Sequence, residues 1–134
     1  MRYISLIIAL VFLVSCANTA DTLTDEPLEG DYRVTGINGS KISGEEIIFT
    51  FDPLSSRVSG ITGCNNFSAN YSHEGQKLDF STPMNTRKYC EGKMETERQI
   101  LISIEKASRL EFKGNEVMIY ANEDKPLIIL TKMK

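Results

Sequence analysis

Three cysteines, one histidine and a scatter of carboxylates carry whatever chemistry this chain can do. A thiol can be acylated, oxidised to a disulfide or used as a soft metal ligand. Cys64, Cys90 and His73 match no C-x2-C zinc spacing. Met84, Met94, Met118 and Met133 do not cluster at short spacing either. No metal or other cofactor is expected. His73 lies in a Glu-Gly turn, whereas a catalytic histidine must be buried and oriented by a third group. Paired carboxylates could hydrolyse glycosides, but Glu45, Glu46 and the acids of the later helix read as solvated positions. The chain is expected not to be an enzyme.

Cys16 has a different setting. Met1 and Arg2 precede an apolar run from Ile4 to Val14, broken only by Ser5. Eleven residues suit a signal-peptide core and fall short of the roughly 20 needed to span a bilayer. The run ends in Leu13-Val14-Ser15-Cys16, which resembles the lipobox of bacterial lipoproteins. That resemblance implies diacylglycerol on Cys16 and cleavage before it. Two acyl chains or more give stable anchoring, at about 0.8 kcal/mol per buried CH2. Residues 1–15 are therefore expected to be a signal peptide, with the membrane the partner of the lipid on Cys16. The competing reading is a secreted protein with an incidental cysteine. Ala17 rather than Asp follows Cys16. By analogy with enteric bacteria, that favours the outer membrane of the cell envelope.

Removing the leader leaves 119 residues, enough for one core. The whole chain carries −3, and loss of Arg2 makes it −4. A mildly acidic chain offers no footprint for nucleic acid. With Cys16 acylated, Cys64 and Cys90 remain as an even pair in an exported domain. A bridge across their 26-residue separation would contribute roughly 3 kcal/mol. Two reduced core thiols are the alternative.

The elements that must position these residues follow from periodicity. Residues 16–29 are polar and acidic and read as the lipidated end and a flexible tether, with an ordered arm near Leu28 as the alternative. The domain is expected from Gly30 to Lys134. Tyr32–Ile37, Glu46–Phe51, Arg57–Gly60, Phe67–Tyr71 and Lys77–Phe80 read as strands between turn signals such as Asn38-Gly39 and Asp52-Pro53. From Gly92 to Ser108 the period changes. Met94, Ile100, Leu101, Ile104 and Ala107 form an apolar stripe, with Glu95, Glu97, Arg98, Glu105 and Lys106 mostly outside it, predicting a helix. Arg109–Lys113, Glu116–Ala121 and Leu127–Lys132 read as three closing strands, the first two joined by Gly114-Asn115. Short links favour antiparallel neighbours. The expected class is α+β: a curved antiparallel sheet or partly open β-barrel of about seven or eight strands, with one main helix packed against it.

The stretch from Gly60 to Tyr71 reads Gly-Ile-Thr-Gly-Cys-Asn-Asn-Phe-Ser-Ala-Asn-Tyr. It resembles the G-x-x-G-C-N-x-[aromatic or apolar]-x-[small]-x-Tyr signature of the META domain family, which includes HslJ-like lipoproteins. Thr86-Arg87-Lys88-Tyr89-Cys90 followed by Met94-Glu95-Thr96-Glu97 is similar to the family's second signature. Gly60, Gly63, Cys64, Asn65, Phe67, Tyr71, Thr86, Arg87, Cys90, Met94 and Glu97 carry the resemblance, which covers roughly residues 30–133. Tyr32 stands where many members have Trp, and Glu91 where many have Pro.

In this chain Gly60 and Gly63 permit tight or positive-φ backbone, and Asn65 and Asn66 can bond local backbone in a turn. The motif thus reads as a structural corner pinned by Cys64 and Cys90, with Phe67 and Tyr71 packing inward. A ligand-facing loop in which Asn65, Arg87 and Tyr89 line a groove is the alternative. The resemblance implies a non-catalytic domain. HslJ-like members are associated with heat induction and antibiotic tolerance, and other members with secretion, motility or virulence. The expected function is a monomeric envelope lipoprotein that binds or scaffolds an envelope protein partner. Two alternatives stand beside it. One is an inhibitor or chaperone of a secreted enzyme acting through residues 81–91; the other is a small hydrophobic-ligand carrier, which requires a hollow barrel.

Overall fold

A computed structural model describes residues 26–44 and 46–134. The expected signal peptide, Cys16, the tether as far as Asp25, and Glu45 lie outside the described residues.

Alternation builds the first strands. In β1 (Gly30–Ile37) Tyr32 and Val34 point inward while Asp31 and Arg33 face solvent. In β3 (Ile48–Asp52) Phe49 and Phe51 are buried and Thr50 and Asp52 exposed. β4 (Arg57–Ile61) and β5 (Asn66–Glu74) continue the pattern with Val58, Phe67, Ala69 and Tyr71 inward. β6 (Lys77–Phe80) returns beside β5 as the expected hairpin, Glu74 facing Lys77 across the turn. Two-residue strands β2 (Ser40–Lys41) and β7 (Met84–Asn85) go beyond the expected seven or eight. β2 exists because the Asn38-Gly39 turn folds the chain back on β1, both residues having positive φ.

One helix, α1 (Met94–Lys106), is followed by β8 (Arg109–Lys113), β9 (Glu116–Tyr120) and β10 (Ile128–Lys132). Every pairing is antiparallel, and β10 pairs with β1 as well as β9. The eight longer strands therefore curve into a ring. The ring is irregular because β6 and β8 meet at a single register pair, Lys77 with Arg109. Ile100 and Ile104 of α1 join the core inside it.

That core is filled. Tyr32, Phe49, Leu78, Ile119, Ile128 and Leu130 are among its fully buried side chains, each contributing about 1.5–3 kcal/mol by burial. Phe51 packs edge-on to Tyr32 and Tyr71, with centroids 5.7 and 5.2 Å away. The hollow barrel that a ligand carrier needs is not what the ring encloses, because these side chains occupy it.

The arm alternative applies at the N-terminal edge. Leu28 is buried, and its carbonyl accepts a 2.8 Å hydrogen bond from the Tyr71 hydroxyl. The packed domain thus begins before Gly30. Among the described residues, no helix is long and apolar enough to cross a membrane.

Candidate functional site

The motif residues converge where β4 turns into β5. Gly60 is needed there for space: a Cβ would lie 2.0 Å from the Ile48 carbonyl oxygen and 2.9 Å from the Phe67 ring. Gly63 follows at φ +93°, a conformation that favours glycine. The Thr62 N–H donates to the Asn65 carbonyl at 2.9 Å, closing the corner.

Glu97, on the first turn of α1, reaches into this corner and is only 4% exposed. This corrects the expectation that the helix acids are solvated. Its carboxylate accepts from the Thr62 hydroxyl at 2.6 Å and from the Asn65 backbone N–H at 3.1 Å. The Asn65 side-chain amide adds bonds of 2.8 and 3.0 Å to its two oxygens. Among the described residues Glu97 joins no ion pair. Hydrogen bonds from neutral groups, together with the favourable field of a helix N-terminus, offset its burial.

Asn65, 1% exposed, connects this carboxylate to the loop that follows β7. Its Nδ2 donates to the Lys88 carbonyl at 3.0 Å, while Oδ1 accepts from the Lys88 N–H at 2.8 Å and the Thr86 hydroxyl at 2.7 Å. One side chain thus imitates a neighbouring strand for Lys88 and uses its full donor and acceptor capacity. Beyond Lys88 the loop is tied again by the Cys64–Cys90 disulfide, whose Cα atoms lie 5.9 Å apart. The Cys90 N–H meets the Met94 sulfur at 3.3 Å, and the Lys93 ammonium donates to the Gly63 carbonyl at 3.2 Å.

The structure thus brings together Gly60, Gly63, Cys64, Asn65, Thr86, Cys90, Met94 and Glu97. Phe67 and Tyr71 are core residues, the Phe67 ring packing 4.8 Å from that of Phe49 with the planes tilted by 59°. Asn65 does not line a groove, as the ligand-facing alternative required; it grips the loop from behind. Arg87 and Lys88 stand exposed on the outside, Tyr89 is 79% exposed and Met84 68%. His73 is engaged in its own turn, with Nε2 2.7 Å from the Gly75 carbonyl. Among the described residues, no three metal-ligating side chains gather.

Sequence reasoning missed a second polar cluster, on β8 and β9. Arg109 pairs with Glu111 and lies 4.1 Å over the ring of Tyr120, its cross-strand partner. Burial, and then the Glu111 charge, push the Tyr120 phenol upward. The signal was an Arg-x-Glu on one strand face opposite a tyrosine.

Fold and corner together define an α+β domain: a filled antiparallel ring whose single helix is locked to a strand corner by a disulfide and a buried Asn–Glu clamp. The chain belongs to the META domain family, whose sequence model matches residues 22–134. Two solved structures share the fold. One, described as an NMR structure of the protein from Burkholderia xenovorans, is 16% identical with a TM-score of 0.61, covering 79% of this chain and 83% of that one. The other, an NMR structure titled without an organism, is 17% identical with a TM-score of 0.61, covering 77% and 88%. A search of curated protein sequences finds no match.

Proposed function

We propose that this chain is a lipid-anchored cell-envelope protein whose META domain is a non-catalytic binding or scaffolding module for an envelope protein, supporting the envelope under heat or antibiotic stress. The observation that carries this reading is the clamp of Asn65 on Lys88. It spends a fully buried amide and carboxylate on holding a loop whose Met84, Arg87, Lys88 and Tyr89 are exposed. A loop fixed before binding loses less entropy when it docks, and exposed aromatic and arginine side chains are frequent anchors of protein interfaces. Three cations and one anion in residues 84–93, within a net acidic chain, suit an acidic partner surface. The same loop supports a second reading, inhibition or escort of a secreted enzyme. Cys16 supplies the anchor in either case, and Ala17 favours the outer membrane.

A photo-crosslinking residue at position 89, compared with one at Lys113, tests the binding reading in the native envelope. A discrete partner captured only from position 89, and lost when Arg87→Glu and Lys88→Glu are combined, is the expected result. Reproducible hydrolytic turnover abolished by His73→Ala or by one carboxylate substitution would count decisively against a non-catalytic role. Mass spectrometry of the mature N-terminus checks the acylated Cys16.

A further inference from the structure

The most exposed large apolar side chain among the described residues is Leu54, at 98%, in the turn between β3 and β4. Its exposure is built rather than incidental. Pro53 sets the turn, and the Asp52 carboxylate accepts from the Leu54 N–H at 3.0 Å and the Ser55 hydroxyl at 2.7 Å. The turn is thereby fixed with the leucine outward.

This turn stands where the N-terminal chain enters the domain. Gly30 pairs with Phe51 at the start of the β1–β3 ladder, and Glu29, Gly30, Pro53, Leu54 and Lys132 border one shallow surface depression. The burial of Leu28 under the Tyr71 hydroxyl fixes the point of entry. Half-exposed Met133 is held at the same end through its N–H bond to the Asp31 carbonyl. The loop carrying Tyr89 adjoins the opposite end of the β4–β5 ladder, where Ile61 faces Asn66.

We propose that the Pro53–Leu54 turn is a lipid-contacting tip that seats the domain on the bilayer surface. The proposal rests on the anchored reading above. Glu26 lies ten positions after Cys16, a reach of at most about 35 Å when fully extended. An anchored domain is thus held close to the bilayer, and its entry end is the part tied nearest to the lipid. A single leucine would not recruit a free protein. On a tethered one the contact is intramolecular, and the high effective concentration makes a weak apolar insertion count. Acids and cations offset one another around the tip, Arg57 facing Asp52 across the turn and Lys132 sharing the depression with Glu29, so net charge does not drive the contact. Asp52 is bonded within its turn, Asp31 takes the Thr50 hydroxyl at 2.6 Å, and Glu29 is exposed. The contact is apolar and insensitive to salt.

The chain has no tryptophan, so Leu54→Trp and Tyr89→Trp each give a single reporter at a site whose exposure leaves the core intact. The lipidated full chain of each is reconstituted in vesicles of phosphatidylethanolamine and phosphatidylglycerol, with and without brominated acyl chains. The expected result is blue-shifted emission from position 54, reduced roughly twofold by bromine as for a group about 5 Å into the interface. Position 89 should show neither change, and high salt should alter neither reading. Equal quenching at the two positions, or none at 54 in protein that floats with the vesicles, overturns the proposal and leaves the anchor intact. Native protein whose Cys16 carries no acyl group overturns the anchored reading and the proposal with it.

Discussion

The β4–β5 corner and the β3–β4 turn use the same device at different depths. In each, a polar side chain grips main-chain groups and leaves an apolar residue in solvent: Asn65 holds Lys88 beside Tyr89, and Asp52 holds Leu54. Asn65 is buried and shares its bonds with a buried carboxylate, a disulfide-tied loop and a helix. Asp52 is exposed and bonds only within its turn. Water can replace the second grip and not the first. The corner should therefore behave as one cooperative unit and the turn as a local ornament of the ring.

The sharpest way to break that contrast is Glu97→Ala. It strands the Asn65 N–H and one amide hydrogen in a dry site, while the Thr62 hydroxyl keeps the Asn65 carbonyl at 3.0 Å, at about 3 kcal/mol or more in urea unfolding. Asn65→Ala should be similar, and the double variant clearly less than additive, because both remove one network. Additive losses would show that the corner is not a unit. Next, replacing Cys64 and Cys90 by serine should lower stability by roughly 3 kcal/mol and raise protease cleavage within residues 84–93. At the opposite turn, Leu54→Ser should stay within about ±0.5 kcal/mol of the parent.

The smallest effect is in pH. The Ser55 hydroxyl, followed by backbone N–H groups, holds Asp52 below the ordinary carboxylate range, while Arg98 and then Gln99 bring Glu95 to about 2. Both folded-state values are depressed. Their contribution is present above the unfolded carboxylate range and is lost as pH falls through the folded values. Urea midpoints should therefore decline on acidification from about pH 4.5 toward 2. Glu95→Gln should flatten part of that decline, and an unchanged slope would assign it elsewhere.

Most of the fold could be read from local pattern. Alternation located β1, β3 and β5, the changed period located α1, and Asn38-Gly39 and Gly114-Asn115 marked turns that the structure contains. β2 and β7 escaped because two residues carry no periodicity. The corner was half legible. Gly60, Gly63 and Asn65 could be named as turn residues, but apart from its place in the family signature Glu97 looked like any solvated helix acid, because Thr62 and Asn65 lie more than thirty positions away. Nothing local distinguishes a charge that meets water from one that meets a buried amide. Leu28 presents the same difficulty, since its place in the core and its bond from Tyr71 join it to residues distant in sequence.

The pairing of Tyr32 with Lys132 and of Ile37 with Ile128 sets an order of assembly. Partners nearly a hundred residues apart must meet before the circle shuts, a slow, non-local step. A chain threaded through a membrane N-terminus first would present β1 early and receive its neighbour last. Until β10 arrives, one side of β1 is an unfilled template for any passing strand. Removing residues 128–134 would leave that vacancy permanent, turning a closed ring into a seed for strand exchange between copies.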